Sequence, residues 1–323
     1  MAPAIFSSLH LNFQYREIKL VETACRSKHL QIVNKQSILD YYLFQMQKRL
    51  TFFIACLSAL SVVAQPYIDV INIRYTRAFD TKNSNATPFS HLYIGQDLPF
   101  KMKKNKFIVL SPFYEKWNID SGSNKNFIPS VSSIGIAIST ILPLNKDQWK
   151  LTISAMPRFN SEGLSLHNSF QMGGVLLASY TKKTNLTYKF GVYVNNEFFG
   201  VFVMPLAGID WKINDRNNLF GILPGRLTFE HKLNKNFYTG ANFRAITNSY
   251  RLNNGSFLRI EDNQLIGFLD YYASKHIVFT GEVGYGVFRR LRSGITPNKI
   301  YHTNYNWDDG MFIKLCTSYR IRL

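Results

Sequence analysis

Residues 312–323 read FIKLCTSYRIRL. Ile313, Leu315, Thr317, Tyr319, Ile321 and Leu323 fall on one side of an extended chain, and Lys314, Cys316, Ser318, Arg320 and Arg322 on the other. Successive side chains of a strand point to opposite faces. One face here is therefore apolar and the other polar and basic. The same split recurs upstream. Leu151, Ile153 and Ala155 oppose Lys150, Thr152, Ser154 and Arg158, and Leu186, Tyr188, Phe190, Val192 and Val194 oppose Thr187, Lys189, Gly191 and Asn195. Ile71, Ile73 and Tyr75 oppose Asn72, Arg74 and Thr76, while Ile277, Phe279, Val283, Tyr285 and Val287 oppose Thr280, Glu282, Gly284 and Gly286. No stretch shows a convincing 3.6-residue period, so the chain reads as all-β.

Working outward, thirteen segments carry this pattern: 67–78, 90–101, 106–118, 131–143, 148–159, 169–181, 186–195, 199–213, 218–232, 236–250, 257–272, 276–290 and 310–323. Bacterial single-chain barrels use an even number of strands. The expectation is an antiparallel transmembrane β-barrel of about 12 strands, with 218–232 the suspect segment because Pro224-Gly225 interrupts it. Three features favour a membrane barrel over a soluble sandwich. Many segments run to 12–16 residues, beyond the roughly 5–6 of ordinary strands. Aromatic residues (Trp117, Trp149, Trp211, Tyr271, Tyr272, Tyr319) cluster at segment ends, where an amphipathic ring suits a membrane interface. Tight connections (KMKKN, PLNKD, TKKTN, INDRNN) alternate with the longer 79–89, 119–130, 160–168 and 291–309, as periplasmic turns alternate with outer loops.

The stretch 46–70, MQKRLTFFIACLSALSVVAQPYIDV, has the shape of a secretory signal. Lys48 and Arg49 form the basic start, Leu50–Val63 the apolar run, and Val62 and Ala64 the small-residue site, with cleavage between Ala64 and Gln65. A lipoprotein version through Cys56 fits less well, because Phe53 is a poor residue three before it and the apolar run continues past it. Met46 supplies a start codon, so residues 1–45 are read as an unstructured upstream extension, 46–64 as the signal peptide and 65–323 as the barrel domain. Of the three cysteines, Cys25 and Cys56 then leave with the leader and Cys316 remains, which excludes an intrachain disulfide in the exported protein.

The whole chain has 38 basic and 20 acidic residues, and the excess persists beyond Ala64. The charges lie on the polar faces of strands and in turns rather than in a stripe, so nucleic acid is not an expected partner. Lys150, Arg158, Lys189, Lys314, Arg320 and Arg322 are expected to face the lumen. Unpaired, they would bias a pore towards anions. Paired with inward Asp210, Glu230 and Glu282, they would line a closed interior, and inward Phe202, Met204, Leu206 and Phe288 favour a filled lumen.

A catalytic reading rests on His167 and Ser169, two apart and so on one face of a strand, where an imidazole could take the hydroxyl proton. No matching Asn or Asp orients the histidine, and an ordinary loop–strand junction explains both residues. Asp308-Asp309-Gly310 could hold calcium but serves equally as an acidic turn. The histidines have no ligand spacing, and no phosphate-cradling loop or dinucleotide fingerprint occurs, so no metal, cofactor or enzymatic activity is expected.

Three further segments, YIGQDLPFKMKKNKFIVLSPFYE (93–115), FFGVFVMPLAGIDWKIN (198–214) and LFGILPGRLTFEHKL (219–233), together with the signal and the alternating last strand, resemble the uncharacterised outer-membrane β-barrel proteins of Gram-negative bacteria. The resemblance covers roughly 66–323 and implies fold and location, with no activity to carry over. Tyr319, Ile321 and Leu323 resemble the terminal strand signal read by the outer-membrane assembly machinery. The expected partners are outer-membrane lipid, lipopolysaccharide and that machinery. The function classes left open are a passive channel for small anionic solutes, a sealed structural or surface-binding barrel acting through its outer loops, and, more distantly, an outer-membrane lipid hydrolase.

Overall fold

The alternating segments form strands in a computed structural model that describes residues 66–79, 88–120, 130–144, 148–295, 300–305 and 307–323. The extension, the signal peptide with its Ala64–Gln65 cleavage site, and Cys56 lie outside the described residues. In chain order the strands are β1 (Tyr67–Ala78), β2 (Phe89–Gln96), β3 (Leu98–Lys101), β4 (Phe107–Ile119), β5 (Val131–Pro143), β6 (Trp149–Glu162), β7 (Phe170–Lys183) and β8 (Leu186–Glu197). They continue as β9 (Gly200–Lys212), β10 (Asn217–Leu223), β11 (Arg226–Lys232), β12 (Phe237–Arg251), β13 (Ser256–Tyr272), β14 (Ile277–Ile295), β15 (Ile300–Tyr305) and β16 (Gly310–Arg322).

Antiparallel neighbours run round from β1 to β14, and β16 closes the ring by pairing with both β14 and β1. The ring has 14 strands, with β3 and β15 outside it, which corrects the expected 12. The interrupted segment 218–232 is two short strands, which turns the thirteen segments into fourteen. The Pro224-Gly225 turn separates β10 from β11, whose registers pair Asn217 with His231 and Ile222 with Arg226. Proline supplies no N–H to a ladder and glycine permits the sharp reversal.

The turns after β7, β9, β11 and β13 lie at one end of the ring, where the chain also enters β1 and leaves β16; short turns after β8, β10 and β12 lie at the other end, so the expected alternation of tight and long connections does not hold throughout. At the first end the chemistry is local. Asn214 Oδ1 accepts from the backbone N–H of Arg216 and Asn217, both at 2.9 Å, and Asn234 Oδ1 does the same for Asn236 and Phe237 at 2.8 and 2.9 Å. These side chains replace the hydrogen bonds that the reversing backbone cannot make to itself.

Alternation then divides the wall. On β16, Ile313, Leu315 and Tyr319 are exposed on the outside, while Lys314, Cys316, Ser318 and Arg320 are buried on the inside. Leu315, two-thirds exposed at 66%, typifies an exterior that also carries Ile73, Ile153, Leu176, Phe190, Leu269 and Phe279. An apolar outside around a polar inside reverses the arrangement of a soluble barrel and matches a lipid-facing wall.

The interfacial aromatics divide too. Trp149, Trp211, Tyr271 and Tyr319 are exposed near the tight-turn end, supported by Tyr180, Phe190, Phe237 and His276. Trp117 and Tyr272 are instead buried inside. Trp117 shares its parity with Glu115, and Tyr272 with Asp270, so strand position overrode the general preference of aromatic rings for the interface. Phe288 also departs from expectation. It is 75% exposed with φ 53°, beside the irregularity that shifts the β13–β14 register between Glu261 and Asn263. An extra residue in one strand resets which side chains point inward.

Candidate functional site

The interior is built by the inward faces of all fourteen strands. Among the cations expected to line it, Arg158, Lys189, Lys314, Arg320 and Arg322 meet carboxylates. Arg158 Nη2 lies 2.5 Å from Glu197, Lys189 Nζ 2.6 Å from Asp210, and Lys314 Nζ 3.0 Å from Glu282. Arg322 grips Glu230 with two nitrogens at 2.7 and 3.2 Å. Arg320 joins Asp69 (2.5 and 3.2 Å) to Asp270 (2.5 Å) and lies over the Tyr67 ring at 3.7 Å. Lys150 is half-buried near the tight-turn end of β6. Asp210, Glu230 and Glu282 share the inward strand parity of these cations, and Glu197 and Asp270 are further inward partners. Strand parity does not reach Asp69, which lies beyond an irregularity at Val70 that shifts β1 against β16. It also left unassigned the buried Arg289–Asp262 pair at 2.8 Å, although both residues occupy inward positions.

At the long-loop end the ring narrows. Above Arg244 the strand β12 has no partner in β11, because β11 begins at Arg226, opposite that residue. The freed part of β12 crosses the mouth and pairs in parallel with β6 through Arg251 and Ser161. Asn160 Nδ2 donates to the Ser249 carbonyl at 3.0 Å, and Arg158 Nη1 donates to Asn248 at 3.0 Å. Glu197 accepts from Ser249 N (3.0 Å) and Ser249 Oγ (2.6 Å), and Tyr250 Oη donates to Glu115 at 2.7 Å. The resulting neck holds an apolar cluster that includes Phe89, Trp117, Tyr250, Leu258, Ile260 and Phe312, all fully buried. Below it, His91 stacks on Trp117 at 3.8 Å and its Nε2 lies 3.2 Å from Glu115.

Beneath the neck lies a chamber of 380 Å³ walled by Met156, Val175, Tyr193, Phe202, Met204 and Leu206. A second cavity, of 200 Å³, sits nearer the tight turns beside Asp69 and Arg320. Arg74 and Arg244 line both.

The His167–Ser169 pair does not form. Both residues precede β7, with Asn168 between them at φ 50°. Ser169 Oγ donates to the Ser165 carbonyl at 2.6 Å, and the His167 ring meets Asn168 at 3.0 Å. Asp309 accepts the backbone N–H of Arg289 at 3.0 Å, and among the described residues no His, Cys, Asp or Glu group is arranged to hold a metal ion.

A closed β-barrel with a lipid-compatible exterior is the class of protein that this wall defines. The chain belongs to a domain family of unknown function, DUF6268, whose model matches residues 62–306. No curated protein matches it. Among solved structures it is similar to the NanC porin (10% identity, 78% of this chain and 100% of that chain, TM-score 0.38). It is also similar to a deletion mutant of the TodX monoaromatic hydrocarbon channel (10%, 82% and 92%, 0.37). The translocator domain of the autotransporter NalP from Neisseria meningitidis aligns at 10% identity over 87% and 98% of the two chains, with TM-score 0.31.

Proposed function

We propose that the protein is an outer-membrane barrel of a Gram-negative envelope whose long axis is sealed, and that it acts as a structural or surface-binding barrel. The observation that carries this reading is the neck, where β12 crosses to β6 over a fully buried apolar cluster. The ion pairs of the inner wall support it. An anion-selective pore needs uncompensated cations along its path; Lys189, Lys314, Arg158, Arg320 and Arg322 each have a carboxylate within 3.0 Å, and the cavity-lining arginines without an ion pair among the described residues, Arg74, Arg226 and Arg244, lie beneath the neck.

In this reading the tight-turn end faces the periplasm and the long loops face outward, where the 291–309 region, carrying β15, meets lipopolysaccharide or another surface partner. Residues 46–64 direct export, and Tyr319, Ile321 and Leu323 at the last strand engage the assembly machinery. Planar-bilayer recording of the purified protein tests the central point. The expected trace shows no sustained conductance at physiological salt; steady openings of the wild-type protein would overturn the sealed axis.

A further inference from the structure

Among the described residues, no strand pairs with the β10-side edge of β9 above Ala207, where Phe257 and Tyr301 pack near Phe202. Residues 200–206 of β9 pair with β8, but β10 reaches only to Leu223, opposite Ala207. The seven residues of β10 rise about 18 Å along the barrel axis, allowing for ordinary tilt, whereas the apolar band of an outer-membrane barrel is about 25 Å tall. Across the gap β12 has turned inward. The outward residues beside the gap, Val201 and Val203, are 68% and 57% exposed, so it opens at the level of the lipid-facing wall. Its lower lip is the Pro224-Gly225 turn, held by Ala245 N–H donation to both carbonyls at 3.1 and 3.2 Å. Its upper lip is aromatic, Phe199 packing with Phe202 below the Arg259 guanidinium. Behind it stands the 380 Å³ chamber, with apolar walls on the β6–β9 side.

A second, independent feature lies at the lower lip. Arg226 and Arg244 face each other in register on β11 and β12, and like charges directly opposite on adjacent strands repel. Among the described residues neither forms an ion pair, nor does Arg74, which lies over the Tyr93 ring at 4.1 Å with its Nε buried and unbonded. Carboxylates do share the adjoining cavity, but they are engaged. Asp69 and Asp270 hold Arg320, Glu282 holds Lys314, and Asp97 accepts from Ser111 at 2.6 Å.

We propose that the gap between β9 and β12 is a lateral portal for a single-chain amphiphile with an anionic head. The head lies between Arg244, Arg226 and Arg74, and the tail runs along Met204, Leu206 and Phe202 towards the bilayer. The occupant is chosen by continuity of the chamber with the lipid-facing surface and by charge complementarity to the three arginines. A free anion would leave the apolar wall unused, and a neutral amphiphile would leave the arginines repelling one another. The portal extends the sealed-barrel reading and is separable from it.

The test is equilibrium binding of dodecanoate to the full chain in phosphatidylcholine nanodiscs, with acetate and dodecyl maltoside as head-only and tail-only competitors. Saturable dodecanoate binding that neither competitor matches is expected. Arg244→Gln and Arg226→Gln should each weaken it at least tenfold while leaving the unfolding midpoint unchanged or raised, because each relieves the cross-strand repulsion. Met204→Trp, which fills the chamber, should abolish it, and Arg290→Gln on the exposed rim should leave it intact. Non-saturable uptake, equal competition by acetate, or indifference to Arg244→Gln and Met204→Trp would overturn the portal. Conductance recorded on the same preparation separates the two proposals. A conducting barrel that binds dodecanoate loses only the sealed axis, and a silent barrel that does not bind it loses only the portal.

Discussion

The Tyr250 hydroxyl of β12 donates to Glu115 of β4 at 2.7 Å, a bond between residues 135 positions apart that reaches from the crossing strand to the far wall. Glu115 also meets His91 at 3.2 Å and Asn248 at 3.0 Å, so one carboxylate gathers three elements under the neck.

Tyr250→Phe removes the hydroxyl and keeps the ring in the apolar cluster. It should cost about 1.5–3 kcal/mol, the ordinary loss for one hydrogen bond to a charged acceptor. Urea unfolding of the detergent-solubilised barrel checks this. Combined with Glu115→Gln the loss should be less than additive, since both changes remove the same interaction.

Glu197 is a heavier anchor. It accepts from Arg158, Asn195, Gln171 and both the backbone and hydroxyl of Ser249, and its side chain is wholly buried. Glu197→Gln leaves the Arg158 guanidinium without its counter-charge, at an expected cost of about 3–5 kcal/mol. Because Ser249 belongs to the crossing part of β12, intermittent conductance should also appear in planar bilayers where the wild type is silent.

The lipid-facing wall can be tested by depth. Leu315→Arg places a cation in the apolar band and should destabilise the barrel by about 2–4 kcal/mol in vesicles. Phe288→Arg, at an outward position beside exposed Arg290 and close to the long-loop end, should cost no more than about 1 kcal/mol. Equal effects at the two positions would contradict the assignment of the membrane band.

The short hairpin depends on one backbone conformation. Gly221 has φ 135°, and a Cβ there would fall 2.2 Å from the Arg226 carbonyl oxygen. Gly221→Ala should destabilise the β10–β11 hairpin by about 1–3 kcal/mol. Protease nicking in the 213–236 region should rise ahead of global unfolding.

Much of this architecture was legible because period-two alternation survives in nearly every strand. Lys189 and Asp210, or Lys314 and Glu282, share the inward parity of neighbouring strands and do meet. What alternation could not show is where it is reset. The irregularity after Asp69 and the one beside Phe288 each insert a residue, and nothing local in the sequence marks them. The inward placement of Trp117 and Tyr272 was available from parity with Glu115 and Asp270, and was lost to the weaker rule that strand-end aromatics sit at an interface. The neck was hidden for another reason. Pro224-Gly225 signals a reversal, but its consequence appears some twenty residues later, where β12 finds no partner beside it and crosses to β6. Such a pairing depends on which edge is left vacant once the other strands have docked.

The bond from Arg320 to Asp69 spans 251 residues and lies on the seam between β16 and β1. Every other neighbouring pair in the ring joins strands that follow closely in the chain, but this seam joins the first strand to the last. A chain that stops before Gly310 is therefore not a smaller barrel. It is an open ribbon with two adhesive margins, β1 and β14, each offering unpaired backbone to any other strand it meets. Completion of the cylinder and removal of its most aggregation-prone surface are thus one event, tied to the arrival of the final thirteen-residue strand.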